Sequence, residues 1–150
     1  MARIEESVDI MRPAEKVFTY TTDASDWPKW QTILPQAEQT STGPVAVGTT
    51  FRGISRMMGL SMKWTSTATE CQPPGRFGKT IISPALINAQ HNTYNPIEGG
   101  TKITIVYDLK MRGIFKLMSP VLVSKMRTEL RKSPGNIRVF WKHRFNDQGI

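Results

Sequence analysis

Cysteine, histidine and long apolar runs are all scarce in this chain of 150 residues. The single cysteine, Cys71, excludes an internal disulfide, and with only His91 and His143 beside it no zinc-type ligand cluster is expected. Cys71 stands in "TATECQPPG" with no histidine near it, so it reads as a small packing residue rather than a nucleophile. No run approaches the roughly 18 apolar residues of a membrane span. The start, "MARIEESVDIMRP", carries charges where a signal peptide needs its apolar stretch, so the expected location is cytoplasmic. Acids are nearly missing from one region. Between Arg112 and Arg144 there are nine basic residues against one acid, Glu129, whereas residues 1–111 are close to neutral. The net charge of +8 is therefore that of the C-terminal part. Any contact with nucleic acid or an anionic membrane is expected there.

What is present suits one globular domain. Hydrophobic residues make up 39% and charged residues 21%, too apolar for disorder. A chain of this size buries roughly 70% of its unfolded surface, enough for a core or for a core with a cavity.

In "RIEESVDIM", Ile4, Glu6, Val8 and Ile10 share one face and Arg3, Glu5, Ser7 and Asp9 the other, the two-residue period of a strand. Glu6 is the polar intruder on the apolar side. "RPAEKVFTYTTD" follows as a helix of two to three turns, with Pro13 at its start and Val17, Phe18 and Thr21 or Thr22 at helical spacing. In "DASDWPKWQTILP", Ser25 or Asp26 caps a short helix that puts Trp27 and Trp30 on one side. From 36 to 111, runs of strand-forming residues alternate with turn signals, as in an antiparallel meander. The last run is the cleanest, with Ile103, Ile105, Tyr107, Leu109 and Met111 on one face. "IFKLMSPVLVSKMRTELRK" then reads as a long amphipathic helix. Ile114, Met118, Leu122, Met126 and Leu130 form its row, Leu117 and Val121 flank that row, and Pro120 marks an early bend. Ser133-Pro134-Gly135 stops it, leaving 1–133 as the domain and 134–150 as a basic, aromatic tail.

The words "ESVDIMRPAEKVFTYTTDASDWPKW", "VGTTF", "TATECQPPGRF" and "YNPIEGGTKITIVYDLKM", in that order, resemble the START-like or SRPBCC superfamily, in particular its polyketide cyclase/dehydrase-like branch. The resemblance spans about residues 3–132. It implies an α+β helix-grip fold, in which a curved antiparallel sheet of about seven strands wraps a long C-terminal helix and two short helices follow the first strand. It also implies a cavity between sheet and helix that holds a hydrophobic or amphipathic small molecule, with Trp27 and Trp30 under the helix at its mouth; the competing reading makes both plain core residues that fasten the short helices. In similar proteins the helix runs on to the chain terminus, which the Ser-Pro-Gly break departs from.

Candidate lining residues follow from the alternation. They are Tyr107 and Leu109 on the last strand, Trp64 with Met62, Tyr94 with Asn92, and Met118 and Leu122 on the helix, beside Trp27 and Trp30. Aromatic, methionine and amide groups suit a mostly apolar ligand with one or two oxygens; a filled core is the competing reading. Candidate acids and bases are Glu6, Glu70, His91, Tyr94, Tyr107 and Asp108. An inward Glu6 has Arg52 or Arg56 as its expected ion-pair partner, or lies near a strand end in water. No Ser-His-Asp set, paired carboxylates or glycine-rich phosphate loop is recognisable, so the catalytic residues are left unassigned. Three roles stay open: a carrier or sensor of a lipid, sterol or polyketide-like molecule; a cyclase, aromatase or dehydratase-like enzyme needing no metal or coenzyme; and a module docking through its basic tail. The chain is expected to be a monomer or a homodimer.

Overall fold

A computed structural model describes residues 2–132 apart from Thr32 and Met58. Seven strands form one antiparallel sheet: β1 (Ala2–Ile10), β2 (Gln36–Gln39), β3 (Thr50–Met57), β4 (Leu60–Gln72), β5 (Arg76–Ile82), β6 (Leu86–Ile97) and β7 (Gly100–Met111). Strands β2 to β7 are a meander, and β1 closes the order by pairing with β7, giving β1-β7-β6-β5-β4-β3-β2. The alternation read from the sequence is the alternation of burial. Ile103, Ile105, Tyr107, Leu109 and Met111 all face inward from β7, and the register sets Ile4 beside Tyr107 and Val8 beside Ile103 on the same face. On β4 the pairing with β5 shifts between Ala68 and Glu70, an irregularity of the kind that adds local bend and twist to a strand.

Helix α1 (Ala14–Thr22) starts after Pro13 and buries Val17, Phe18, Tyr20, Thr21 and Thr22. A 3-10 turn, Ala24–Asp26, leads into α2 (Trp27–Trp30). The cap differs from the expected one: Asp23 accepts from the Ser25 N–H at 3.0 Å, and Asp26, at the N-cap of α2, makes no side-chain cap bond. Asp26 instead pairs with Lys29 at 3.0 Å.

After β7 the chain makes a 3-10 helix, Gly113–Met118, and then α3, residues 119–132, which lies on the concave face of the sheet. Pro120 falls in the first turn of α3, where its missing N–H costs no helical bond. The 3-10 start corrects the expected apolar row. Three residues per turn instead of 3.6 rotates the early positions, so Phe115 and Met118 turn toward the core while Ile114 and Leu117 are 72% and 85% exposed. In α3 itself Leu122, Met126 and Leu130 are buried as the period requires. Burying each such side chain contributes roughly 1.5–3 kcal/mol, and these contacts fix the helix on the sheet. Residues 134–150, the basic tail, lie outside the described residues. No helix among the described residues is long and apolar enough to cross a membrane.

Candidate ligand-binding site

Between the concave face of the sheet, α3 and the segment after α2 lies a cavity with about 610 Å³ of atom-free space, open solvent at its mouth included. Its apolar wall is built chiefly by Ile33, Leu34, Met57, Met62, Ile81, Leu86 and Met126. The cavity proper has a volume of only about 60 Å³. A larger guest therefore requires side-chain movement, and Met57, Met62 and Met126 carry the most adaptable of apolar side chains.

Polar groups stand on the same wall. Gln31, Ser55, Trp64, Lys79, Ser83, Asn88 and Tyr107 line the cavity. Gln31 Nε2, Trp64 Nε1 and Asn88 Oδ1 are buried and have no hydrogen-bond partner among the described residues. A buried polar atom left unpaired costs roughly 1–3 kcal/mol, so these three atoms are hydrogen-bonding positions open to whatever occupies the cavity, water or ligand. Trp64 reaches its position because Gly53, its cross-strand neighbour, has no side chain. A Cβ at Gly53 would stand 2.6 Å from Trp64 Cζ2 and 2.1 Å from the Gln36 carbonyl oxygen.

Lys79 is the dominant electrostatic feature. It projects inward from β5 between Ala68 of β4 and Gln90 of β6, and only 3% of it is exposed. Its Nζ lies 3.3 Å from the centroid of the Trp27 ring and 5.8 Å from that of Phe51. Among the described residues no carboxylate pairs with it. Burial pushes its pKa from 10.5 down to about 7, while the face of the Trp27 ring attracts the cation and opposes part of that drop. Burial likewise raises the pKa of the Tyr107 hydroxyl.

A second polar group lies deeper. Gln90 Nε2 donates to Asn92 Oδ1 at 3.1 Å, Asn92 Nδ2 donates to the Tyr94 hydroxyl at 3.1 Å, and that hydroxyl meets Thr21 Oγ1 at 2.7 Å. Burial pushes the Tyr94 pKa up to about 12, against the opposing hydrogen bonds from Thr21 and Asn92. This chain ties β6 to α1, and Phe18 packs edge-on against Tyr94 with centroids 5.2 Å apart.

The structure thus separates the residues expected to line one cavity. Met62, Trp64 and Tyr107 stand on its wall. Asn92 and Tyr94 belong to the satisfied chain beneath α1. Trp27 and Trp30 are buried in the core rather than set at the mouth; Trp27 donates its Nε1–H to the Thr21 carbonyl at 2.8 Å and packs on Phe51 and Trp64. Leu109, Met118 and Leu122 pack between sheet and helix outside the cavity wall. Among the acid and base candidates, Glu6 pairs with Arg131 of α3 at 3.4 Å, replacing the expected Arg52 or Arg56. Arg52 instead meets Glu38, and Arg56 donates to Ser61. Glu70 is 4.0 Å from Arg76, and His91 and Asp108 sit on the outer face of the sheet. Cys71 is partly buried, its Sγ 3.6 Å from the Val45 carbonyl. Among the described residues, no group of three or more His, Cys, Asp or Glu is placed to hold a metal ion.

Lys79, Gln31 and Asn88 escaped the sequence reading. The signal for Lys79 was there: in "FGKTIIS" it shares a face with Phe77 and Ile81, a charged residue in an apolar row, the same anomaly that drew attention to Glu6.

The family model described as "Polyketide cyclase / dehydrase and lipid transport" matches residues 1–138. The chain belongs to this family. Solved structures share the fold at low sequence identity. The Zhui aromatase/cyclase from Streptomyces sp. R1128 superposes with a TM-score of 0.82 at 13% identity, over 95% of this chain and 94% of that one. A protein from Thermus thermophilus gives 0.78 at 14%, over 91% and 94%. A START superfamily protein from Mycobacterium smegmatis gives 0.66 at 12%, over 86% and 94%. At these identities the likeness is one of fold, a helix-grip architecture of the START-like superfamily. No curated protein matches the chain.

Proposed function

We propose that this member of the polyketide cyclase / dehydrase and lipid transport family binds a hydrophobic or amphipathic small molecule in the cavity between sheet and α3, as a carrier or sensor. The observation that carries the reading is the coincidence, on one apolar cavity wall, of Lys79 and three buried polar atoms that have, among the described residues, neither a counter-charge nor hydrogen-bond partners. Unsatisfied groups in a filled core are a pure cost; beside a ligand they become its orienting contacts. The methionines supply the compliance a variable apolar guest needs. A heteronuclear NMR titration of the full chain with fatty acids, sterols and aromatic polyketide-like compounds tests this. Saturable shifts at the cavity wall, weakened by Tyr107→Ala and left unchanged by Glu6→Gln, are the expected result; no saturable shift there with any compound contradicts it.

A second reading, a cyclase, aromatase or dehydratase-like enzyme, is favoured by one observation. An amine whose pKa is near 7 shares a cavity with the Tyr107 hydroxyl, which burial keeps protonated, so a base and a hydrogen-bond donor face one space at neutral pH. Turnover that Lys79→Met abolishes while binding persists separates the enzyme from the carrier. Docking through the basic region has less support. Of its six basic residues among the described ones, four are engaged: Lys125 and Lys132 pair with Glu129, Arg131 pairs with Glu6, and Arg112 donates to the Ser83 carbonyl, while Lys116 and Arg127 are exposed.

A further inference from the structure

The cavity wall is lopsided in charge. Among the described residues Lys79 is its one charged group, and Tyr107 is the only other titratable group on it. The acids on the elements packed around it are engaged elsewhere: Asp26 before α2 with Lys29, Glu129 on α3 with Lys125 and Lys132, and Glu6 on β1 with Arg131. The neighbours of Lys79 along the sheet are uncharged, Ala68 and Gln90, and above it lie the rings of Trp27 and Phe51. A buried ammonium among uncharged and aromatic neighbours, with no carboxylate, is a counter-ion in want of an anion. The Trp64 indole on the same wall is a donor only, and the amides of Gln31 and Asn88 can each turn a donor toward a ligand.

We infer that the ligand carries an oxyanion, a carboxylate or an ionised enol or phenol, on an apolar body, with the oxyanion held against Lys79 Nζ and the body along Met57, Met62, Ile81 and Leu86. This rests on the cavity-binding reading and names the chemistry of its ligand. The lysine supplies the charge and the proton; the wall supplies the desolvation that makes their pairing strong. Binding has a proton signature. Lys79, whose pKa burial brings to about 7 in the free protein, becomes fully protonated beside an anion: above pH 7 a carboxylate, already ionised, makes the complex take up a proton from solution, whereas an enol or phenol delivers its own proton to the amine.

The test uses matched pairs on the full chain: decanoate against decanol, and 2-naphthoate against 2-naphthalenemethanol. The first pair represents a lipid source of the anion, the second a planar aromatic source. Affinities come from calorimetry at pH 7 and pH 8.5 in two buffers of different ionisation enthalpy. The wild-type chain is expected to prefer the acid of at least one pair by about tenfold and to take up a proton at pH 8.5 as it binds. In Lys79→Met the acid loses about tenfold or more while the alcohol is retained, and the proton uptake disappears. Lys79→Gln, which keeps a donor without the charge, guards against a folding artefact and is expected to lose the preference as well. Acid and alcohol binding equally well, or a preference that survives both substitutions, overturns the oxyanion assignment and leaves the cavity reading standing. Failure of all four compounds to bind overturns both.

Discussion

Lys79→Met is expected to stabilise the ligand-free protein, and by an amount that depends on pH. In the unfolded chain the lysine titrates at its ordinary value of 10.5, and in the folded protein burial brings it to about 7. Between these values the unfolded state binds more protons, so the folded state gains stability as pH rises. The penalty is fully present below pH 7 and gone above 10.5. A depression of that size corresponds to about 5 kcal/mol at its full extent, less about 1–2 kcal/mol already returned by the Trp27 ring face. Methionine keeps the apolar stem and discards the charge, so the substitution is expected to raise unfolding free energy by about 2–4 kcal/mol at pH 7. The comparison is made between the two proteins at each pH, so that titrations common to both cancel. Denaturant titrations followed by tryptophan fluorescence at pH 6.5, 7.5, 8.5 and 9.5 give the measurement. The advantage of Lys79→Met should shrink by about 2–3 kcal/mol between the ends of that series. A gap that stays constant with pH, or a variant less stable than wild type at pH 7, would refute the buried, uncompensated lysine and with it the electrostatic account of the cavity.

Gly53→Ala is expected to destabilise by about 2–4 kcal/mol, because the new methyl must displace Trp64 or the Gln36 backbone; thermal melting and a shifted Trp64 indole resonance would show it. Tyr94→Phe breaks the link between Thr21 and Asn92 and should cost about 1–2 kcal/mol in denaturant titrations without weakening ligand binding, since Tyr94 is off the cavity wall. Glu6→Gln removes a half-exposed ion pair with Arg131, so its effect on stability should stay at about 1 kcal/mol or less and the ligand titration curves should overlay those of wild type.

The strands and α1 were legible because each depends on local periodicity: Ile103 to Met111 on β7, or Val17 and Phe18 on α1, announce their faces within a few residues, whereas the pairing of β1 with β7 joins segments about a hundred residues apart and has no local signal. The early part of the C-terminal helix was not. Ile114 and Leu117 fit an α-helical row, and nothing local marks the 3-10 turn that exposes them. The partner of Glu6 lies 125 residues away on α3, a distance over which composition carries no information. Membership of the cavity was the hardest to read. Asn88, Asn92 and Tyr94 alternate on one strand face, yet only Asn88 borders the cavity, because α1 covers the other two. Which inward residues face space and which face a helix is decided by the curvature of the sheet and the placement of α1 and α3.

The central claim, that the space between sheet and α3 is a binding site, is tested most directly by a heteronuclear NMR titration of the full chain with decanoate and with 2-naphthoate at pH 7. The account predicts saturable shifts of the Trp64 indole and of the Lys79, Asn88 and Tyr107 amides with at least one of them, at a stoichiometry of one. Shifts confined to residues 133–150, or no saturable shift at those four positions, would contradict it.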